Sequence, residues 1–292
     1  MKASEISHYV NGLLIGEDID VDGVCSLSDV IDGKIGFDTR QSTSFSPAFK
    51  HKSVFLVRQS IQEHGNATLI VVDNPRLAFA YVSKLLSESK TIFGVHPTAV
   101  IHPDAAIDPQ SAVGPFCLIE KDVVIEQDVI IENSVTIKEG THIGRGSRIR
   151  SNSVIGGPGF GYEFDEDGKP IHIYHFGRVV IGQNVEIGSC VVIARGTIDA
   201  TFIGNDVKID DHVFIAHNVQ VGNRTVIIAG AEISGSVIIG EDCWISPQVT
   251  IIDGKVVGDK SLIGIGAVVT KDVPSDTVVA GNPARVLRRR GI

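Results

Sequence analysis

Residues 101–155 read IHPDAAIDPQ SAVGPFCLIE KDVVIEQDVI IENSVTIKEG THIGRGSRIR SNSVI, and an aliphatic side chain returns at every sixth position: Ile101, Ile107, Val113, Ile119, Ile125, Ile131, Ile137, Ile143, Ile149 and Ile155. A helix repeats every ~3.6 residues and a half-buried strand every ~2, so a strict period of six belongs to neither. It fits a chain that makes a short strand, turns a corner, and makes two more strands and corners before returning eighteen residues later to the same corner one coil higher. The pattern resumes at Ile181, Ile187 and Ile193, changes frame again, and runs from Ile203 through Ile209, Ile215, Val221, Ile227, Ile233, Ile239, Ile245, Ile251, Val257 and Ile263 to Val269. Glycine often follows the aliphatic, as at Gly114, Gly144, Gly182, Gly188, Gly204, Gly222, Gly240, Gly258 and Gly264. The expectation is that glycine there accommodates unusual backbone angles near each corner.

The expected fold class is mainly β, a left-handed parallel β-helix of hexapeptide repeats preceded by a small α/β domain. Stacked coils of this kind pair each backbone group with the coil above or below and bury one continuous aliphatic column. Coiled coils, helical solenoids and propellers have the wrong period. Residues 1–95 lack the repeat. There, Ser53 to Val57 and Thr68 to Val72 read as strands, and Asn74 before Pro75 reads as a capped helix start, with apolar residues to about Leu86. The repeat domain spans 96–272, interrupted by residues 157–178, which are expected to project as a loop; residues 273–292 form a tail ending in Arg288, Arg289 and Arg290.

The chain has 292 residues, 43% hydrophobic and 21% charged, with 31 glycines and a formal net charge of −9. That balance argues against nucleic acid as a partner, which needs a basic face. Met1 to Val10 carries two charges and no apolar core, and no run approaches the ~20 apolar residues of a membrane span, so a cytoplasmic protein is expected. Cys25, Cys117, Cys190 and Cys243 have no metal-like spacing and read as reduced, buried and structural.

His217 is the leading candidate for chemistry. It stands two residues past Ile215, which places the imidazole at a corner, and Asn218 lies beside it. Imidazole titrates near neutral pH and serves as a general base worth about 10²–10⁴ in rate. Hexapeptide helices mostly resemble acyltransferases that use a phosphopantetheine thioester, although fold alone does not establish activity.

Asp73 to Phe79, His96 to Ala99, Gly159 to Tyr162, Val185 to Gly188, Val207 to Asp210 and Ile215 to Val219 together resemble the UDP-3-O-acylglucosamine N-acyltransferase family of lipid A biosynthesis. The resemblance covers roughly residues 1–250 and implies that His217 is the general base, that Asp210 orients it or keeps it basic, and that the backbone amide of Gly235 is the oxyanion donor. The separation of eighteen between His217 and Gly235 fits the coil geometry independently. Substrate contacts are expected from Phe37, Asn218, Phe160, Tyr162 and Asp253. The family's second histidine falls on Gly254, with Asp253 adjacent. Of the pair that holds uracil, Phe37 matches one member, while the other falls on Thr43, with Phe45 nearby.

The resemblance further implies a UDP-amino sugar acceptor, a donor thioester on acyl carrier protein or coenzyme A, no bound cofactor or metal, and a homotrimer. The tail, through Gly281, Asn282, Pro283 and Ala284, looks like that of acetyl-CoA-dependent sugar acetyltransferases, which makes a nucleotide-sugar N-acetyltransferase the alternative. A zinc enzyme resembling carbonic anhydrase is a remote one, suggested by His212 and His217 five residues apart.

Overall fold

The structure is a computed structural model that describes residues 1–40, 50–59, 64–88 and 94–291. The chain divides into two compact units, Met1–Thr91 and Ile92–Ile292.

The second unit is a left-handed parallel β-helix whose three faces are sheets of nine, eight and eleven strands among the described residues. Aliphatics stack in register: Ile119 pairs with Ile137, a separation of 137 − 119 = 18. Across the first interruption Ile155 pairs with Ile193, a separation of 38, so the excursion adds 20 residues. In the next coil Ile193 pairs with Ile215, a separation of 22, so a second insertion adds four. Both insertions leave the same corner edge, since both lie after a strand of the nine-stranded face and before the next strand of the eight-stranded face.

The aliphatic column forms one continuous core from Val113 to Val279, with Ile119, Ile137, Ile155, Ile193, Ile215 and Ile233 fully buried. Each such side chain contributes about 1.5–3 kcal/mol by leaving water. Small polar residues that share this interior are satisfied by backbone. Ser147 Oγ donates to Gly182 O at 2.9 Å and accepts from Val185 N at 3.0 Å.

The glycines that follow the aliphatics have a different cause from the one the sequence suggests. Their backbone angles are ordinary, but a methyl on Gly144 would stand 2.5 Å from Gly182 O, and one on Gly188 equally close to the Asp210 backbone. They are small because the next coil passes directly over them. The left-handed conformations come two residues later, at Asp122, Asp128, Asn152, Asp206, Asn218, Gly230 and Gly254, positions rich in the residues that tolerate that region.

The tail does not leave the structure: Thr277–Ala280 adds to the eleven-stranded face by pairing with Leu262–Ile263. Arg285–Arg289 then returns antiparallel, placing exposed arginines on the last sheet edge, where charge discourages further pairing. All four cysteines are free, and Cys117 and Cys243 are buried. Cys25 is only half-buried and Cys190 is exposed, because Cys190 occupies a left-handed corner (φ 57°) rather than an inward position.

The N-terminal unit is a five-stranded sheet in the order Leu13–Ile15, Thr68–Val71, Val54–Val57, Lys34–Asp38, Gly23–Val24, antiparallel only at the first pair. The helices Ala3–Tyr9 and Pro75–Glu88 accompany it, and Ile6, Ile35, Leu56, Ile70 and Val82 form its main core. Asn74 caps the second helix, its side-chain oxygen accepting Leu77 N–H at 3.2 Å, as the Asn-Pro pair suggests. No helix among the described residues is long and apolar enough to cross a membrane.

Candidate active site

The corner edge that carries both insertions also carries His217. Rising by eighteen, the same edge presents His217, Gly235 and Asp253, and below His217 lie the four-residue insertion around Gly196 and the root of the long arm at Gly157. The period that builds the core therefore stacks the candidate groups in a column.

His217 is half-buried, and its Nδ1 lies 3.0 Å from Asn218 Oδ1. That oxygen also accepts Thr197 N–H at 3.1 Å and the Thr197 hydroxyl at 3.0 Å. A backbone N–H can only donate, so the amide atom facing His217 is an oxygen, and Nδ1 must carry the proton. The tautomer that results leaves the Nε2 lone pair free. Asn218 is itself fixed by its left-handed corner conformation (φ 63°) and by its N–H donating to Thr201 Oγ1 at 2.9 Å. Thr197 belongs to the four-residue insertion, so a small departure from the repeat supplies the groups that orient the imidazole.

Nε2 points at Gly235. A methyl on Gly235 would stand 2.7 Å from His217 Cε1, 2.9 Å from Nε2 and 3.0 Å from Asp253 Oδ1, so only glycine lets the ring lie against this backbone. The Gly235 carbonyl accepts Gly254 N–H at 2.9 Å, while the Gly235 N–H has no hydrogen-bond partner among the described residues. Asp253 is exposed one coil further on. The arrangement offers a basic nitrogen, an unspent backbone donor and a carboxylate within a few ångströms of one another.

The long arm is a β-hairpin, Tyr162–Phe164 paired with Pro170–His172, which returns to the edge through His175. Its root is tied down: Arg195 N–H donates to Gly157 O at 2.8 Å, Phe176 N–H to Thr197 O at 2.8 Å, and Arg195 Nε to Gly156 O at 2.7 Å. A line of rings runs along it from Phe160 to Tyr162 at 4.8 Å, on to His172 at 5.2 Å and His175 at 6.5 Å, and from His175 to His217 at 5.1 Å in an edge-on contact. Phe160 is 83% exposed and Tyr162 43%. His175 was not a sequence candidate. The one available signal was the pair Gly159 and Gly161 at the arm's root, both of which face it.

The other sequence candidates fall as follows. Asp210 does not orient His217 within this chain. It lies on the neighbouring corner, because a separation of seven carries the backbone along one side of the coil, and its Oδ2 accepts Ala229 N–H at 3.3 Å. Asn218, expected at the substrate, has its side-chain oxygen committed to His217 and Thr197. Phe37, in the N-terminal unit, is half-buried and packs on Phe79 at 4.8 Å; Thr43 and Phe45 lie outside the described residues. His212 occupies a different corner from His217, and no three His, Cys, Asp or Glu side chains among the described residues are grouped to hold a metal ion.

The bacterial transferase hexapeptide family (six repeats) matches residues 122–157. UDP-3-O-acylglucosamine N-acyltransferase of Campylobacter lari is 37% identical over 296 residues, spanning 97% of this chain and 93% of its own length. The enzyme of the same name from Coxiella burnetii is 37% identical over 247 residues, 76% of this chain and 72% of its own. Among solved structures, UDP-N-acetylglucosamine acyltransferase of Francisella novicida matches with a TM-score of 0.62 at 31% identity, covering 66% of this chain and 70% of that one.

Proposed function

Because this chain belongs to the UDP-3-O-acylglucosamine N-acyltransferase family, we propose that it transfers an acyl group from a phosphopantetheine thioester to the amine of a UDP-linked amino sugar, as in lipid A biosynthesis. The observation that carries the site assignment is the His217 imidazole, whose Nδ1–H donates to Asn218 Oδ1 and whose Nε2 is presented beneath the Gly235 backbone.

The steps follow from that geometry. The amine lone pair attacks the thioester carbonyl carbon while His217 Nε2 takes the amine proton. The carbonyl oxygen becomes an oxyanion and accepts the Gly235 N–H, a preorganised donor whose loss in comparable sites costs about 10²–10³ in rate. The intermediate collapses, the C–S bond breaks, and the thiolate takes the proton back from His217, which returns the base to its starting state. Asn218 is a positioning residue in this scheme. Asp253, Phe160 and Tyr162 are the groups offered to the acceptor and the acyl chain, and Phe37 is the ring offered to uracil. Acyl carrier protein or coenzyme A carries the donor, the working assembly is a homotrimer, and the compartment is the cytoplasm.

The test is mass spectrometry of products formed from UDP-amino sugars with a 3-hydroxyacyl carrier protein and acetyl-CoA offered in parallel. Hydroxyacyl transfer to nitrogen supports the reading, and acetyl transfer alone would make the chain a nucleotide-sugar N-acetyltransferase. His217→Ala should lower turnover at least ~10²-fold; retention of more than about a tenth of wild-type turnover refutes the general-base role.

A further inference from the structure

His175 is only 8% exposed, yet neither of its ring nitrogens meets a partner in hydrogen-bond geometry among the described residues. Leaving a buried polar group unpaired costs about 1–3 kcal/mol, and folded proteins rarely retain one without a use for it. The ring is held in this position from both sides. Ile173 N–H donates to Gly161 O at 2.9 Å, and Gly177 N–H donates to Gly196 O at 3.0 Å. Space for it is made by the lack of a side chain opposite: a methyl on Gly159 would stand 2.7 Å from His175 Nε2 and 2.9 Å from His217 Cβ, and one on Gly161 would stand 3.1 Å from His175 Cε1. Burial, and then the neighbouring His217, hold the proton affinity of His175 below the ordinary histidine value, with the Ile173 backbone offsetting part of this. A neutral imidazole has one N–H to give and one lone pair to receive. The edge-on contact at 5.1 Å sets that unused capacity beside the base.

We propose that His175 is an acceptor-binding residue, its ring N–H donating to the oxygen substituent on the sugar carbon next to the amine and so aiming the amine at His217 Nε2. The inference rests on the acyl-transfer reading above. On binding, the buried nitrogen gains a partner in hydrogen-bond geometry that none of the described residues supplies, and the sugar is held by two imidazoles that both face Gly159. His172, His217 and Arg195 are the charged or titratable groups around it, and none of them takes a hydrogen bond from it.

The experiment is steady-state N-acylation of UDP-3-O-acylglucosamine by the full chain and two variants, His175→Gln, which keeps an N–H donor, and His175→Phe, which fills the space without one. His175→Phe should lose about tenfold in kcat/KM for the acceptor, mostly through KM, with the KM for the acyl donor within about twofold of wild type. His175→Gln should recover to within about threefold of wild type. If His175→Phe does not fold, His175→Leu, equally without a donor, should show the same loss. Donor-less variants within about twofold of wild type, or a His175→Gln variant as impaired as they are, would reduce His175 to a packing group and overturn the proposal. Absence of N-acylated product from the wild-type chain would fail the proposed reaction and this inference with it, and it is seen before any variant is compared.

Discussion

Gly235→Ala isolates the active corner with the smallest possible change. The backbone at Gly235 is not left-handed, so alanine meets no intrinsic strain there. What the new methyl meets is the imidazole, at 2.7 Å from Cε1 and 2.9 Å from Nε2. Carbon contacts normally settle at about 3.5–4.0 Å, so the ring must withdraw by about 1 Å. A displacement of that size in a reacting group costs about 10²-fold, equivalent to about 2.7 kcal/mol of transition-state stabilisation. Stability should change little, because a tolerated Gly→Ala substitution gains about 0.4–1 kcal/mol through the unfolded state and the displaced side chain lies at the half-exposed edge. The assay is kcat/KM for N-acyl transfer together with a thermal melt. We expect a loss of about 10²-fold with a melting temperature within a few degrees of wild type. The double variant with His217→Ala should be no worse than His217→Ala alone, since both changes act through one imidazole. A Gly235→Ala enzyme retaining more than about a third of wild-type kcat/KM would refute the placement of the working base beneath Gly235.

Two further outcomes follow from the same edge. Asn218→Ala removes the acceptor that fixes the His217 tautomer, so kcat should fall about tenfold or more with little change in acceptor KM, and Asn218→Asp should recover part of the loss; equal kcat in all three would show that the Thr197–Asn218–His217 chain is idle. The arm should loosen in acid. His175 prefers its neutral form when folded, mainly through burial and then through His217, with His172 and Arg195 adding to the effect, so its contribution to stability is fully present above the unfolded value of about 6.5 and is lost as pH falls through the lower folded value. Hydrogen exchange across residues 160–176, corrected for intrinsic rate, should accelerate below about pH 6.5 in wild type and not in His175→Phe; the same acceleration in both would assign it to other groups.

The coil is legible in the sequence because its physics is local. An inward aliphatic every six residues, a tight corner and a neighbour eighteen residues away leave one way to bury the column, and they place His217, Gly235 and Asp253 on one edge before any coordinates are known. The Asn74 cap is legible for the same reason, since it acts over three residues. Other features depend on contacts that no short window contains. The glycines after the aliphatics read as a backbone requirement, but the next coil passing overhead is what excludes a side chain. Asp210 lies seven residues from His217 yet on another corner, while Thr197, twenty-one residues from Asn218, reaches its side chain because an insertion of four shifts the frame at that level. His175 lies in a stretch with no repeat to number it, and only the folding back of the arm, between two glycines and against His217, brings it to the reacting edge. Period decides which residues share a corner; close packing between segments far apart in sequence decides which of their atoms meet.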